Sequence, residues 1–212
     1  MTWDEYATAW SALHGGFDPR RASPLVRGWV LCAYRIGSFL GSKRISPLTV
    51  TIAGVILCLA VPLAALAGRG GLVAGALLVL LAAVADGLDG AVAVVTGRVS
   101  RAGFVYDSVA DRVGELGWLA AFWVAGAPGP LVVAAGAASW LHEYVRARAA
   151  ASGMAEIGAV TVGERPTRVS VSIVGLLVCA LSLPAFLPVS VWLVLQIVGF
   201  AQLVVVVRRS LR

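Results

Sequence analysis

The stretch LVAGALLVLLAAVADGLDGAVAVV, Leu72 to Val95, decides the fold. Its first 14 residues carry no charged side chain, and its 24 residues suffice, at 1.5 Å per helical residue, to cross a hydrocarbon core about 30 Å thick. Working outward, a run from Leu48 to Ala67 precedes it, and runs from Phe104 to Gly126, Pro130 to Ala150, Val169 to Leu183 and Val189 to Val207 follow. The whole chain is 59% apolar and 13% charged, against about 25% charge in soluble domains, which excludes both a water-soluble globule and a disordered chain. The sequence therefore predicts an all-α polytopic membrane bundle of six transmembrane helices over residues 47–212, behind a cytoplasmic or interfacial segment at residues 1–46.

Charge placement orients the bundle. If the six runs alternate in direction, both termini and the second and fourth loops share one side, and of 17 basic residues only Arg69 falls on the other. Lys and Arg are retained on the cytoplasmic side, so the chain is expected in the cell membrane with both ends cytoplasmic. The net charge of +6 then belongs to one face, where it suits anionic lipid headgroups and not nucleic acid. The N-terminus does not read as a cleaved signal, because Asp4, Glu5 and the aromatic residues Trp3, Tyr6 and Trp10 stand where a basic region and an apolar core would be required. Leu25 to Phe39 interleaves apolar residues with Arg27 and Arg35, the pattern of an amphipathic juxtamembrane helix in the interface or packed on the bundle. Ser46 and Pro47 are an N-cap and first-turn pair for the first span. Cys32, Cys58 and Cys179 have no metal-ligand spacing and read as small packing residues.

The acids carry the chemistry. Asp86 and Asp89 lie inside the second run, and Asp107 and Asp111 inside the third. An Asp in the middle of a membrane helix costs about 2.5 to 3.5 kcal/mol, so four of them require compensation. Each pair is spaced three or four residues apart and so shares one helical face. Both pairs also lie toward the cytoplasmic ends of two runs joined by a short connection, so four carboxylates are expected to converge at one depth. Hard oxygen ligands select Mg²⁺, Mn²⁺ or Ca²⁺, and two ions about 3.5 to 4 Å apart are the arrangement used for in-line displacement at phosphorus. Gly87, Gly90 and Gly103 beside the acids weaken the helices unless a ligand comes close. Arg112 and Glu115 read as a pair on one face. An ion pathway, the other common use of intramembrane acids, would spread them through the membrane depth.

Asp86, Asp89, Gly90 and Ala93, followed by Gly103, Asp107 and Asp111, resemble the signature D-x-x-D-G-x-x-A-R-x8-G-x3-D-x3-D of the CDP-alcohol phosphotransferases, with seven of its eight fixed positions matched. Val94 stands where that family has Arg; Arg98, one turn later, is a candidate substitute. The resemblance implies transfer of a phosphatidyl group from CDP-diacylglycerol to an alcohol with release of CMP, an enzyme of phospholipid synthesis. It also implies that Asp86, Asp89, Asp107 and Asp111 bind two Mg²⁺, with Mn²⁺ possible, and that Asp111 is the general base. Gly90, Ala93 and Thr49 would make room for the nucleotide, and a homodimer is implied as well.

A second basic cluster bears on the acceptor. Arg146 and Arg148 in YVRARA, and Arg165 and Arg168 in GERPTR, are similar to segments of phosphatidylinositol-phosphate synthases, with Arg146 in place of a Lys. Arginine forks suit phosphate, so a phosphorylated polyol such as inositol phosphate or glycerol 3-phosphate is the expected acceptor. The alternatives are a cardiolipin synthase-type enzyme taking phosphatidylglycerol, or an impaired homologue that only binds nucleotide-lipid. His142 and Glu143 read as a satisfied pair at a helix interface, and Trp118, Trp123, Trp140 and Trp192 as packing or interfacial residues.

Overall fold

The computed structural model describes residues 1–154 and 161–211. Among them are eight α-helices and no strand: α1 (Trp3–Leu13), α2 (Pro24–Ser42), α3 (Pro47–Ala65), α4 (Gly68–Val95), α5 (Arg101–Val124), α6 (Gly129–Ala151), α7 (Arg165–Ala180) and α8 (Phe186–Ser210). A 3-10 turn at Pro19–Arg21 joins the first two. Each of the six apolar runs lies on its own helix, from α3 to α8. Of these, α3, α4 and α8 are long and apolar enough to cross a membrane by length and composition. In α5 the charges at Asp107, Asp111, Arg112 and Glu115 interrupt the apolar run, and α7, at 16 residues, is only about 24 Å long.

Local chemistry sets the helix boundaries. The Ser46 hydroxyl accepts the Thr49 amide at 3.1 Å, and Pro47 opens α3. The α4 to α5 turn is closed at its first end by the Arg98 amide donating to the Ala93 carbonyl at 2.8 Å, with Gly97 at φ 66°. At its second end the Gly103 amide donates to Ser100 Oγ at 3.0 Å. This short turn reverses the chain and brings the two acid-bearing segments side by side. Helix α1 was not anticipated from apolar periodicity. It begins in a capping box, with the Thr2 amide donating to Glu5 Oε2 at 2.7 Å and the Glu5 amide to Thr2 Oγ1 at 3.3 Å.

The chain divides into two compact units. The first comprises residues 1–55 and 82–111. Its core is Tyr6, Val30, Ala33, Ala91 and Val94, with Trp3, Trp10, Tyr34 and Leu88 packed around them. Burial pushes the Tyr6 phenol up to about 12, so this ring stays neutral in the core. Gly37 of α2 seats that helix on α4, since a Cβ there would stand 3.1 Å from Ala91 Cβ. The Tyr34 hydroxyl donates to the Met1 carbonyl at 2.8 Å and ties the N-terminus to α2. The second unit comprises residues 56–81 and those from 112 onward. Trp118, Phe122, Leu176, Val189 and Trp192 are fully or almost fully buried there, with the Trp192 indole donating to Ser139 Oγ at 2.8 Å. Gly117 of α5 lies against the Cys58 carbonyl of α3, where a Cβ would be 2.6 Å from the oxygen. Cys58 and Cys179 pack in the interior as expected, whereas Cys32 is exposed on α2.

Candidate metal centre and its cavity

The acid-bearing face of α4 and the first turns of α5 meet within the first unit. One carboxylate oxygen each from Asp86, Asp107 and Asp111 lie within 4.8 Å of one another. Ligand oxygens around an octahedral ion at 2.0 to 2.1 Å are about 3 to 4 Å apart, so small side-chain rotations let this set hold one hard divalent ion. All three residues are half-buried, which lowers solvent competition while leaving the centre accessible.

Asp89 does not join that set. It is 7% exposed, and its Oδ2 accepts the Thr51 hydroxyl of α3 at 2.6 Å. Thr51 is the residue that local reading missed, because it lies 38 positions from its partner. Thr49, named from the sequence, is exposed in the first turn of α3, with its hydroxyl 2.8 Å from that of Ser46.

A cavity of about 500 Å³ opens beside the acids, within the usual range for ligand sites. Asp86, Asp89 and Asp107 form part of its wall, and Gly87, Gly90, Ala91 and Ala93 give it a floor of small residues. A Cβ built on Gly90 meets nothing within 4 Å, so this glycine faces open space. At Gly87 the Trp29 ring stands 2.9 Å from such a Cβ, and at Gly103 the Ser100 hydroxyl stands at 3.2 Å, so those two serve packing and capping. Val94 is buried at 5% exposure and Arg98, just past the end of α4, lines the same cavity. Tyr6, Trp10 and Leu13 of α1 and His14 at its C-cap line it too, and no sequence motif had pointed to them.

The arginines of the second unit are arranged differently. Arg168, 1% exposed, is ion-paired through Nε to Glu115 Oε1 at 2.7 Å and through Nη2 to Glu143 Oε1 at 2.7 Å, and Nη1 donates to the Gly163 carbonyl at 2.6 Å. Its whole fork is engaged. Arg112 pairs with Glu115 at 3.0 Å, as its spacing predicted, and lies 3.7 Å from Glu143. Arg146 pairs with Glu164, whose Oε1 also accepts the Thr161 amide and hydroxyl. Three arginines and three glutamates thus neutralise one another in a single network. Arg148 is exposed on the last turns of α6, and Arg165 is half-buried at the start of α7. His142 is fully buried, with Nε2 3.0 Å from Thr161 Oγ1, which fits the expected interface role.

Comparison with known proteins agrees with this geometry. The profile of the CDP-alcohol phosphatidyltransferase family matches residues 44–207. The phosphatidylinositol phosphate synthase of Mycolicibacterium smegmatis is 36% identical over 151 residues, covering 64% of this chain and 66% of that protein. The chain thus spans about two thirds of that relative's length. The crystal structure of Mycobacterium tuberculosis phosphatidylinositol phosphate synthase in complex with manganese and citrate superposes with a TM-score of 0.70 at 28% identity, covering 84% of this chain and 90% of that one. The same enzyme with CDP-DAG bound gives a TM-score of 0.66 at 27% identity, covering 84% and 92%.

Proposed function

We propose that this chain, which belongs to the CDP-alcohol phosphatidyltransferase family, transfers the phosphatidyl group of CDP-diacylglycerol to a hydroxyl of inositol phosphate and releases CMP. The observation that carries this reading is one ligand-sized cavity lined by Asp86 and Asp107, two of the three carboxylates within reach of a shared ion, beside a glycine that leaves the space clear. Relatives described as phosphatidylinositol phosphate synthases support inositol phosphate as the acceptor.

Asp86, Asp107 and Asp111 would hold a divalent ion, Mg²⁺ or Mn²⁺, with Asp89 contributing to a second. Bound there, such ions would offset pyrophosphate charge and stabilise the leaving nucleotide. The protein's own groups do the rest. Asp111 accepts the proton of the acceptor hydroxyl as the new O–P bond forms and the bond to CMP breaks. Thr51 holds the Asp89 carboxylate by its 2.6 Å hydrogen bond. Gly90 and Ala93 leave room for the nucleotide, and Arg98 offers the donor phosphates a guanidinium where Val94 has none. Arg148 and Arg165 are the candidates for the acceptor phosphate, while Arg146 and Arg168 brace the acids around them.

The same proposal includes six membrane crossings by α3 to α8, both ends on the cytoplasmic side of the cell membrane, α2 lying along the interface, and a homodimer. The exposed Leu25, Trp29, Ile36 and Phe39 of α2 beside Arg27 and Arg35 support the interfacial position. The test is incubation of the purified chain in lipid nanodiscs with CDP-diacylglycerol, Mg²⁺ and an acceptor panel, with products identified by mass spectrometry. CMP release with inositol phosphate, abolished by Asp111→Asn in a folded protein, is the expected result. No CMP release with any acceptor overturns the reading.

A further inference from the structure

The family match begins at residue 44, yet one wall of the cavity is built by a helix that lies wholly before it. Helix α1 begins in its own capping box and is secured to this unit by Tyr6, which is 1% exposed in a cluster with Val30, Ala33, Ala91 and Val94. Val94 is the position at which the signature has Arg. A guanidinium there would sit under Tyr6 in an apolar cluster with its charge desolvated, so the seat of α1 and the loss of that Arg belong together.

What α1 presents to the cavity is aromatic. Trp10 and His14, one turn apart, stack with ring centroids 3.6 Å apart and planes within 12°, and His14 Nδ1 lies 2.8 Å from the Trp10 carbonyl, which fixes the imidazole in that stack. Both residues line the same cavity as Asp86, Asp89 and Asp107. The cavity therefore offers carboxylates for ion-bridged phosphates at one part of its wall and a flat, preorganised π-surface at another. A nucleoside diphosphate has this same division, a multiply charged end and a flat conjugated one.

We propose that α1 belongs to the donor-binding site, and that the Trp10 and His14 stack receives the base of the nucleotide-linked donor. This rests on the nucleotide-lipid reading above, and its test separates the two. The full chain in nanodiscs with Mg²⁺ is titrated with CDP and, separately, with inorganic pyrophosphate, which shares the charged end and lacks the base. Trp10→Ala is expected to raise the Kd for CDP by about 5- to 100-fold, the effect of removing a base-stacking aromatic, with pyrophosphate binding unchanged within about twofold. Trp10→Phe, which keeps a π-face, is expected to retain most of the CDP affinity. Should Trp10→Ala fail to fold, Trp10→Leu preserves the apolar contact with the Tyr6 cluster and undergoes the same comparison. Unchanged CDP affinity in these variants, or equal loss of CDP and pyrophosphate, overturns the role of α1 and leaves the proposed function standing. A wild-type chain that binds neither ligand overturns both.

Discussion

Replacing Gly90 by alanine sets helix stability against ligand space. Gly90 is helical, and an added Cβ would meet no heavy atom within 4 Å. The protein therefore gains the propensity difference, about 0.5 to 1 kcal/mol, with no steric cost. In a protein of about 200 residues that corresponds to a rise in Tm of about 1 to 4 °C. The same methyl group enters the cavity beside Asp89, where the nucleotide is proposed to lie. Displacing a reacting group by about 1 Å costs about 100-fold in rate, so kcat/KM for CDP-diacylglycerol should fall by about 10- to 100-fold, and further for Gly90→Val. The assays are thermal unfolding in nanodiscs and CMP release. Gly117→Ala is the control, because its Cβ would lie 2.6 Å from the Cys58 carbonyl oxygen and cost about 1 to 3 kcal/mol by overpacking. A Gly90→Ala protein less stable than wild type would refute the claim of open space. Full activity in both Gly90→Ala and Gly90→Val would refute occupancy of that space by the donor.

Thr51→Val removes the 2.6 Å donor to Asp89 and leaves a buried carboxylate oxygen without it, at a cost of about 1 to 3 kcal/mol, read as a lower unfolding midpoint together with reduced turnover. Asp107→Asn withdraws one of the three converging carboxylates; the Mg²⁺ concentration for half-maximal activity should rise at least about tenfold, and chelation of the wild type should abolish CMP release reversibly. Arg168→Ala leaves Glu115 and Glu143 without their 2.7 Å partner and should destabilise the protein by about 3 to 5 kcal/mol, seen as a lower Tm. Arg148→Ala, at an exposed position, should change stability by no more than about 0.5 kcal/mol while raising KM for inositol phosphate; an unchanged KM removes Arg148 from the acceptor site.

The helices from α3 to α8 were legible as apolar runs, most plainly α3, α4 and α8, which are long and nearly uncharged. The pairing of Asp107 with Asp111, and the meeting of both with Asp86, was legible from three- and four-residue spacing across a short connection. What failed to show was tertiary. Asp89 shares its helical face with Asp86, yet its rotamer is decided by Thr51 on another helix. Helix α1 carries Trp3, Tyr6, Ala7 and Trp10 at helical spacing, but at 11 residues it lies outside the long apolar runs, and its second signal, the pair Thr2 and Glu5 three residues apart, is one that local propensity reading passes over. The arginines of the second unit suggested an anion site when read along the chain. Glu115, Glu143 and Glu164, drawn from three separate segments, had already met much of that demand.

That network also constrains how the molecule can change over generations. Three basic and three acidic groups balance to zero within an interior where Arg168 and Glu115 are each 1% exposed. A lone substitution strands a charge, whereas exchanging two opposite members at once keeps the sum intact. Drift at these six positions should therefore proceed by matched double steps, and a collection of natural variants should show their side chains turning over in concert.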